Sequence, residues 1–157
     1  TADVYIRKIF NKKKEKRDSL KKIKGQKNLK KGKAFLKENA KKEDVVTLDN
    51  GLQYKIIKEG NGTKPTTKDR IKCTYHGTLI DGTVFDSTVE RGDTATLRIN
   101  GMIKGWQEAL PMMPEGSKWK LFIPPKLAYG QKGAGEDIGP NQTVIFEVNL
   151  IDIIESK

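Results

Sequence analysis

The side chains in this sequence that could do chemistry are mostly aromatic or aliphatic, and they cluster where the chain turns. Tyr75, the Phe85-Asp86 pair, Met102-Ile103, Trp106, Tyr129 and Ile138 fall at turns or loops, and Phe146 stands on a strand. One carboxylate among so many apolar groups suits binding in a concave pocket better than acid–base hydrolysis. No second carboxylate accompanies Asp86 as glycoside chemistry would require. The loop 130–140 carries Gly130, Gly133, Gly135 and Gly139 but lacks the Gly-x-x-x-x-Gly-Lys spacing of a phosphate cradle. A lone His76 and a lone Cys73 exclude multi-histidine metal chemistry, thiolate zinc and an internal disulfide. On the residues alone two readings stay open: these aromatics line a pocket, or they are simply core.

The elements that would position them begin near residue 45. Val45-Val46-Thr47-Leu48 leads into Asp49-Asn50-Gly51, a strong hairpin signal, and Leu52, Tyr54 and Ile56 then alternate with polar residues. Strands are expected over 70–79, 84–85, 94–99, 118–123 and 143–154, separated by Asp81-Gly82, by a charged turn at Arg91-Gly92-Asp93, and by Pro124-Pro125. The one helical candidate is 102–110, stopped by Pro111, with Trp106 and Leu110 on one face. In 118–123, Trp119, Leu121 and Ile123 alternate against Lys118, Lys120 and Phe122; in the last strand Val144, Phe146, Val148 and Leu150 share a face. The sum is an α+β fold, a twisted antiparallel sheet of five or six strands covered by one short helix.

Charge divides the chain. Of its 157 residues, positions 1–48 hold 17 basic and 6 acidic side chains, whereas the rest balances at 14 of each. The basic stretch has no Pro, only Gly25 and Gly32, and a thin apolar stripe of Ile6, Ile9, Phe10, Leu20, Ile23, Leu29, Phe35 and Leu36. It reads as an exposed helical arm over 1–44, started by an Asp3 cap and kinked or broken at the two glycines, with the folded domain over 45–157. Such an arm could be a spacer, dock a second copy of the chain, or meet nucleic acid or anionic lipid. It lacks the aromatic interleaving of a single-strand binder and any helix-turn-helix or zinc pattern, so no nucleic-acid partner is expected. No apolar run reaches the roughly 20 residues of a spanning helix. Because the sequence opens on Thr1 and not Met, processing is expected, with any targeting segment outside it.

Seven segments then occur in order: Tyr75-His76-Gly77, Gly82-Thr83-Val84-Phe85-Asp86-Ser87, Gly101-Met102-Ile103-Lys104-Gly105-Trp106, Ile123-Pro124-Pro125, Leu127-Ala128-Tyr129-Gly130, Ile138-Gly139-Pro140-Asn141 and Val144-Ile145-Phe146-Glu147-Val148. Together they resemble the FK506-binding-protein (FKBP) type of peptidyl-prolyl cis–trans isomerase over 46–154. Asn50-Gly51-Leu52-Gln53-Tyr54, with Gly32-Lys33-Ala34-Phe35-Leu36-Lys37-Glu38-Asn39 before it, resembles the bacterial branch typified by macrophage infectivity potentiators.

That resemblance implies a half-barrel sheet wrapped on the short helix and X-Pro bond rotation in folding chains, with no cofactor and no metal. It implies Asp86, Tyr129, Tyr75 and Phe85 as catalytic residues. It gives Trp106, Ile103, Met102, Leu97, Ile138 and Phe146 to substrate binding, with Trp106 as a pocket floor under the proline ring. Leu97 departs from the family, where an aromatic is usual. The implied partners are proline-containing polypeptides, macrolide immunosuppressants such as rapamycin, and a second copy through the arm. The branch implies periplasm or outer membrane and cell surface, with cytoplasm left open. The alternative is a chaperone that holds proline segments with weak or no turnover.

Overall fold

In the computed structural model, residues 2–154 are described. A 38-residue helix α1 (Ala2–Asn39) leads into β1 (Val45–Thr47), β2 (Gln53–Lys58), β3 (Arg70–Leu79) and β4 (Val84–Ser87). A single turn α2 (Thr88–Arg91), β5 (Ala95–Arg98), the short helix α3 (Lys104–Ala109), β6 (Lys118–Ile123) and β7 (Val144–Ile154) follow. All pairings are antiparallel, in the order β1-β2-β6-β7-β3-β4, with β5 also on β3. Seven strands stand where five or six were expected, and three of them are only three or four residues long.

The outer edge of β3 is shared. Its first half pairs with β5 through Arg70↔Arg98 to Cys73↔Ala95, and its second half pairs with β4 through His76↔Ser87 to Thr78↔Val84. Between the two, α2 lifts the chain off the sheet. Ser87 caps it by accepting from the Glu90 N–H, and Gly92 ends it in the left-handed region at φ 68°. The inward face of the sheet closes on α3 and the turn after it, where Trp106, Ala109 and Leu110 pack with Ile71, Cys73, Leu121, Ile123, Val148 and Leu150. The two fit closely because Gly105 has no side chain: a Cβ there would lie 2.7 Å from Ile123 Cγ2. The expected helix 102–110 is thus shorter, and Pro111 sits within a 3₁₀ turn (Leu110–Met112) that continues it, a position proline tolerates.

The arm differs from expectation more than the sheet does. Neither glycine breaks α1; both are buried, and Asp3 lies inside the first turn, not at a cap. Gly25 approaches Pro140 and Asn141, and Gly32 faces Thr143. Around them Asn28 donates to the Pro140 carbonyl at 2.9 Å, Phe35 meets Phe122 at 6.1 Å, and Asn39 donates to Gln53 Oε1 at 2.8 Å. Gln53 in turn donates to the Leu36 carbonyl at 2.8 Å. Positions 25, 28, 32, 35 and 39 recur every three or four residues, so they form one helical face. That face is docked on the sheet and its loops; only the preceding part of α1 is an exposed arm. The burial of Phe122, on the nominally outer face of β6, follows from the same contact.

Gly32→Val should undock this segment, since a Cβ at Gly32 would already lie 2.3 Å from Thr143 Oγ1. Overpacking of about 1–3 kcal/mol outweighs the gain in helix propensity, which is at most about 1 kcal/mol. Lower stability to urea, with faster amide exchange over 25–39 than in the parent, is expected; unchanged exchange there would contradict the docking.

Candidate functional site

Five rings supplied by separate elements meet at one end of α3. Trp106 of α3 is met edge-on by Tyr75 of β3 (5.5 Å between centroids, 82°) and by Phe146 of β7 (5.3 Å, 90°). Phe85 of β4 stands edge-on to Phe146 (5.3 Å, 88°) and to Tyr129 (6.3 Å, 84°). Edge-to-face contacts place the positive rim of one ring on the negative face of the next, a preferred aromatic arrangement. Gly77 makes the cluster possible, because a Cβ there would lie 2.8 Å from both the Phe146 and the Phe85 ring.

Strand alternation brings Tyr75 inward from β3. Its backbone is held twice by Thr88, whose hydroxyl accepts from the Tyr75 N–H at 2.8 Å and donates to the Tyr75 carbonyl at 3.2 Å. The Tyr75 hydroxyl donates to Asp86 Oδ2 at 2.7 Å, and Arg91 Nη1 donates to Asp86 Oδ1 at 2.7 Å. Both carboxylate oxygens are therefore engaged. Burial pushes the Asp86 carboxyl upward, but the Arg91 and Tyr75 hydrogen bonds outweigh it and hold the group below the usual carboxylate range. Burial and then the hydrogen bond to Asp86 raise the Tyr75 phenol; burial and then the charges of Asp86 and Tyr75 raise that of Tyr129. At neutral pH the site holds one carboxylate, the guanidinium paired with it and two neutral phenols. Asp86 is a fixed charge and no base.

Met102, Ile103, Leu97 and Tyr129 pack half-buried against the same core, while Ile138 is buried and held by reciprocal backbone hydrogen bonds with Ala134. Ile103 takes the N-cap position of α3 at φ −61°, ψ 156°, so its N–H stands outside the helical ladder. Trp106 has 0% exposure, and Tyr75 and Phe146, themselves only 9% and 3% exposed, meet it edge-on. The indole N–H is buried with no partner among the described residues.

Arg91, which the sequence reading places in a charged turn, belongs to the site through its bond to Asp86. The signal was present, since Ser87-x-x-Glu90 is a capping-box pattern and Gly92 a terminator, which together place Arg91 in a helical turn next to Asp86. The only thiol, Cys73, is buried in the core and pushed up to about 12, which leaves it no nucleophile. Among the described residues no three His, Cys, Asp or Glu side chains gather as a metal site would need, and no helix is long and apolar enough to cross a membrane.

Comparison with known proteins agrees with this arrangement. A family model described as FKBP-type peptidyl-prolyl cis-trans isomerase matches residues 61–151, and one described as a domain amino terminal to FKBP-type peptidyl-prolyl isomerase matches 1–56. The FKBP-type 22 kDa peptidyl-prolyl cis-trans isomerase of Escherichia coli is 53% identical over 123 residues, covering 78% of this chain and 60% of that protein. The outer membrane protein MIP of Legionella longbeachae is 51% identical over 130 residues, covering 83% and 56%. The chain thus spans somewhat more than half the length of these curated relatives. The crystal structure of FkpA from Escherichia coli superposes with a TM-score of 0.94 at 35% identity, over 99% of this chain and 72% of that one. Fold and sequence therefore agree, and the chain belongs to the FKBP-type peptidyl-prolyl cis-trans isomerase family.

Proposed function

We propose that this chain accelerates rotation about X-Pro bonds in polypeptides, by twisting the amide against the apolar rings and without covalent catalysis. What supports this reading most is the pairing of an edge-on ring cluster around a fully buried Trp106 with a single pinned carboxylate at its edge. Rotation is slow because amide resonance must be broken, a barrier of about 18–20 kcal/mol. In the twisted transition state the nitrogen is pyramidal and the carbonyl has lost charge separation, so an apolar environment disfavours it less than the planar ground state. An acceleration of about four powers of ten corresponds to roughly 5.4 kcal/mol. Exclusion of water and a bound geometry already part-way twisted can supply that amount.

Each residue takes a role in this reading. Trp106, Phe146, Tyr75 and Phe85 receive the proline ring. The Ile103 N–H holds the carbonyl that follows the proline, and Met102, Leu97, Ile138 and Tyr129 border the neighbouring side chains. Asp86, fixed by Tyr75 and Arg91, stabilises the amide dipole as it turns. A macrolide such as rapamycin would compete for the same rings, with Leu97 offering it less area than an aromatic would.

The arm supports a dimer within the same reading. Tyr5, Phe10, Leu20 and Ile23 are 57–69% exposed, and α1 is about 57 Å long, so its free part extends beyond the domain with apolar side chains in water. Two copies meeting there would form one unit of two isomerase domains, each over 45–157, on arms over 1–44. A cell-envelope location, periplasm or outer membrane, is supported by the relative named an outer membrane protein. Holding of proline segments as a chaperone is the second reading, favoured by the covered state of Trp106, which slows entry of the ring.

Exchange spectroscopy on a Leu-Pro tetrapeptide decides between turnover and holding: a rate that rises in proportion to protein concentration is expected, and an unaltered rate excludes the enzyme. Asp86→Ala and Tyr129→Phe should leave the fold intact; the first should lower kcat/KM about tenfold or more, equivalent to about 1.4 kcal/mol of transition-state binding. The rate should also be flat from about pH 5 to pH 9. Asp86, with its lowered value, stays ionised until pH falls below the usual carboxylate range near 3.9, and the raised phenols stay protonated up to at least about pH 10. A bell-shaped profile centred near pH 7 would contradict the assignment.

A further inference from the structure

A second concavity lies between the docked part of α1 and the loops that follow β6. It encloses about 670 Å³, and its lining includes three lysines, Lys33, Lys37 and Lys126, with no aspartate or glutamate. Among the described residues none of these three has an ion-pair partner; the recorded pairs are Lys41–Glu38, Lys55–Asp44, Arg91–Asp86 and Lys118–Glu147. The rest of the lining sets Leu29 and Leu36 of α1 and Pro124 and Pro125 among uncharged polar residues such as Asn50, Gln53, Gln131 and Asn141. The cleft exists because α1 is docked through Gly25, Asn28, Gly32 and Asn39, which leaves its leucines beside the contact but only half covered.

We propose that this cleft binds an acidic, partly apolar segment of a client polypeptide, held by its carboxylates on the lysine rim and by its aliphatic side chains on the leucine and proline walls. The lining holds no aromatic ring for a base to stack on and no arginine fork for a phosphate, which separates it from a nucleic-acid site. Half-covered leucines beneath a one-signed rim suit a side chain that carries both characters. Its wall includes Gly130 and Gln131, the residues directly after Tyr129. One client chain can therefore lie with its proline at the rings and a neighbouring acidic stretch against the arm. The docked helix thereby adds a recognition element that acts on sequence around the proline, and acidic flanks become the preferred substrate class. That the occupant is a client rests on the isomerase reading, whereas the cleft itself does not.

The test uses the full chain and a dye-labelled, proline-free peptide of alternating glutamate and leucine, so it is independent of turnover. Fluorescence anisotropy should show binding that weakens as salt rises. The triple variant Lys33→Glu, Lys37→Glu, Lys126→Glu should weaken it at least tenfold. The control triple Lys8→Glu, Lys13→Glu, Lys14→Glu, which makes the same change in net charge on the exposed arm, should stay within twofold of the parent. In the parent protein the peptide should shift the amide resonances of Gly51, Gly130 and Thr143 and leave those of the exposed arm unmoved. Both triples should rotate the Leu-Pro tetrapeptide at the parental rate. Equal losses in the two triples, equal binding of a glutamate–serine peptide, resonance shifts confined to the arm, or tighter binding of anionic phospholipid vesicles than of the peptide would each overturn the proposal.

Discussion

The site depends on five aromatic rings being held in edge-on contact around a six-residue helix. Edge-on packing of this kind is satisfied only in a narrow range of positions, and two missing side chains create it. Gly105 lets α3 sit directly on Ile123, which brings Trp106 down to the sheet, and Gly77 leaves room for the rings of Phe85 and Phe146. The bulge in the pairing of β3 with β4 falls between Gly77 and Thr78, so the strand bends where the rings need space. Antiparallel pairing then fixes which side chains arrive. Gly77 pairs with Asp86 on one neighbour and with Phe146 on the other, so a single register sets both the carboxylate and a ring.

The polar edge of the site relies on a different device. Thr88 clasps the Tyr75 backbone, Ser87 caps the same helical turn, and Arg91 closes it on Asp86. One turn of helix therefore orients the phenol, the carboxylate and the guanidinium together. Asp86 is 43% exposed through its side chain, so its ion pair adds little to stability; what it contributes is a fixed direction of charge beside an apolar surface. Asp86 is thereby held ionised, with both oxygens engaged, beside two phenols that stay protonated.

Much of this was legible in the sequence, and what was missed has physical causes. Strand alternation in β7 and the pairing of Trp106 with Leu110 on one helix face depend only on period, and the structure repeats them. The docking of α1 was not legible as apolar patterning because, apart from Phe35, its contact face is built from Gly25, Asn28, Gly32 and Asn39, residues that bury little hydrocarbon and gain their contact from small size and hydrogen bonds. The glycines resembled breaks for the same reason. Phe122 looked like an outward residue because alternation places it on the far face of β6, and nothing local indicates that a helix 87 residues earlier covers it. The covered state of Trp106 likewise depends on where the Tyr75 and Phe146 rings lie, a matter of tertiary packing that no spacing encodes.

The central claim is that a proline ring is received by an indole that is fully buried at rest. Labelling both tryptophans with 5-fluorotryptophan, and assigning Trp106 by comparison with Trp119→Phe, gives a direct probe. The Trp106 fluorine resonance should show no solvent-isotope shift between light and heavy water in the free protein, and should move on saturation with a Leu-Pro tetrapeptide while a Leu-Ala analogue leaves it in place. A resonance that senses solvent at rest, or one that saturating proline peptide does not move, would contradict the account.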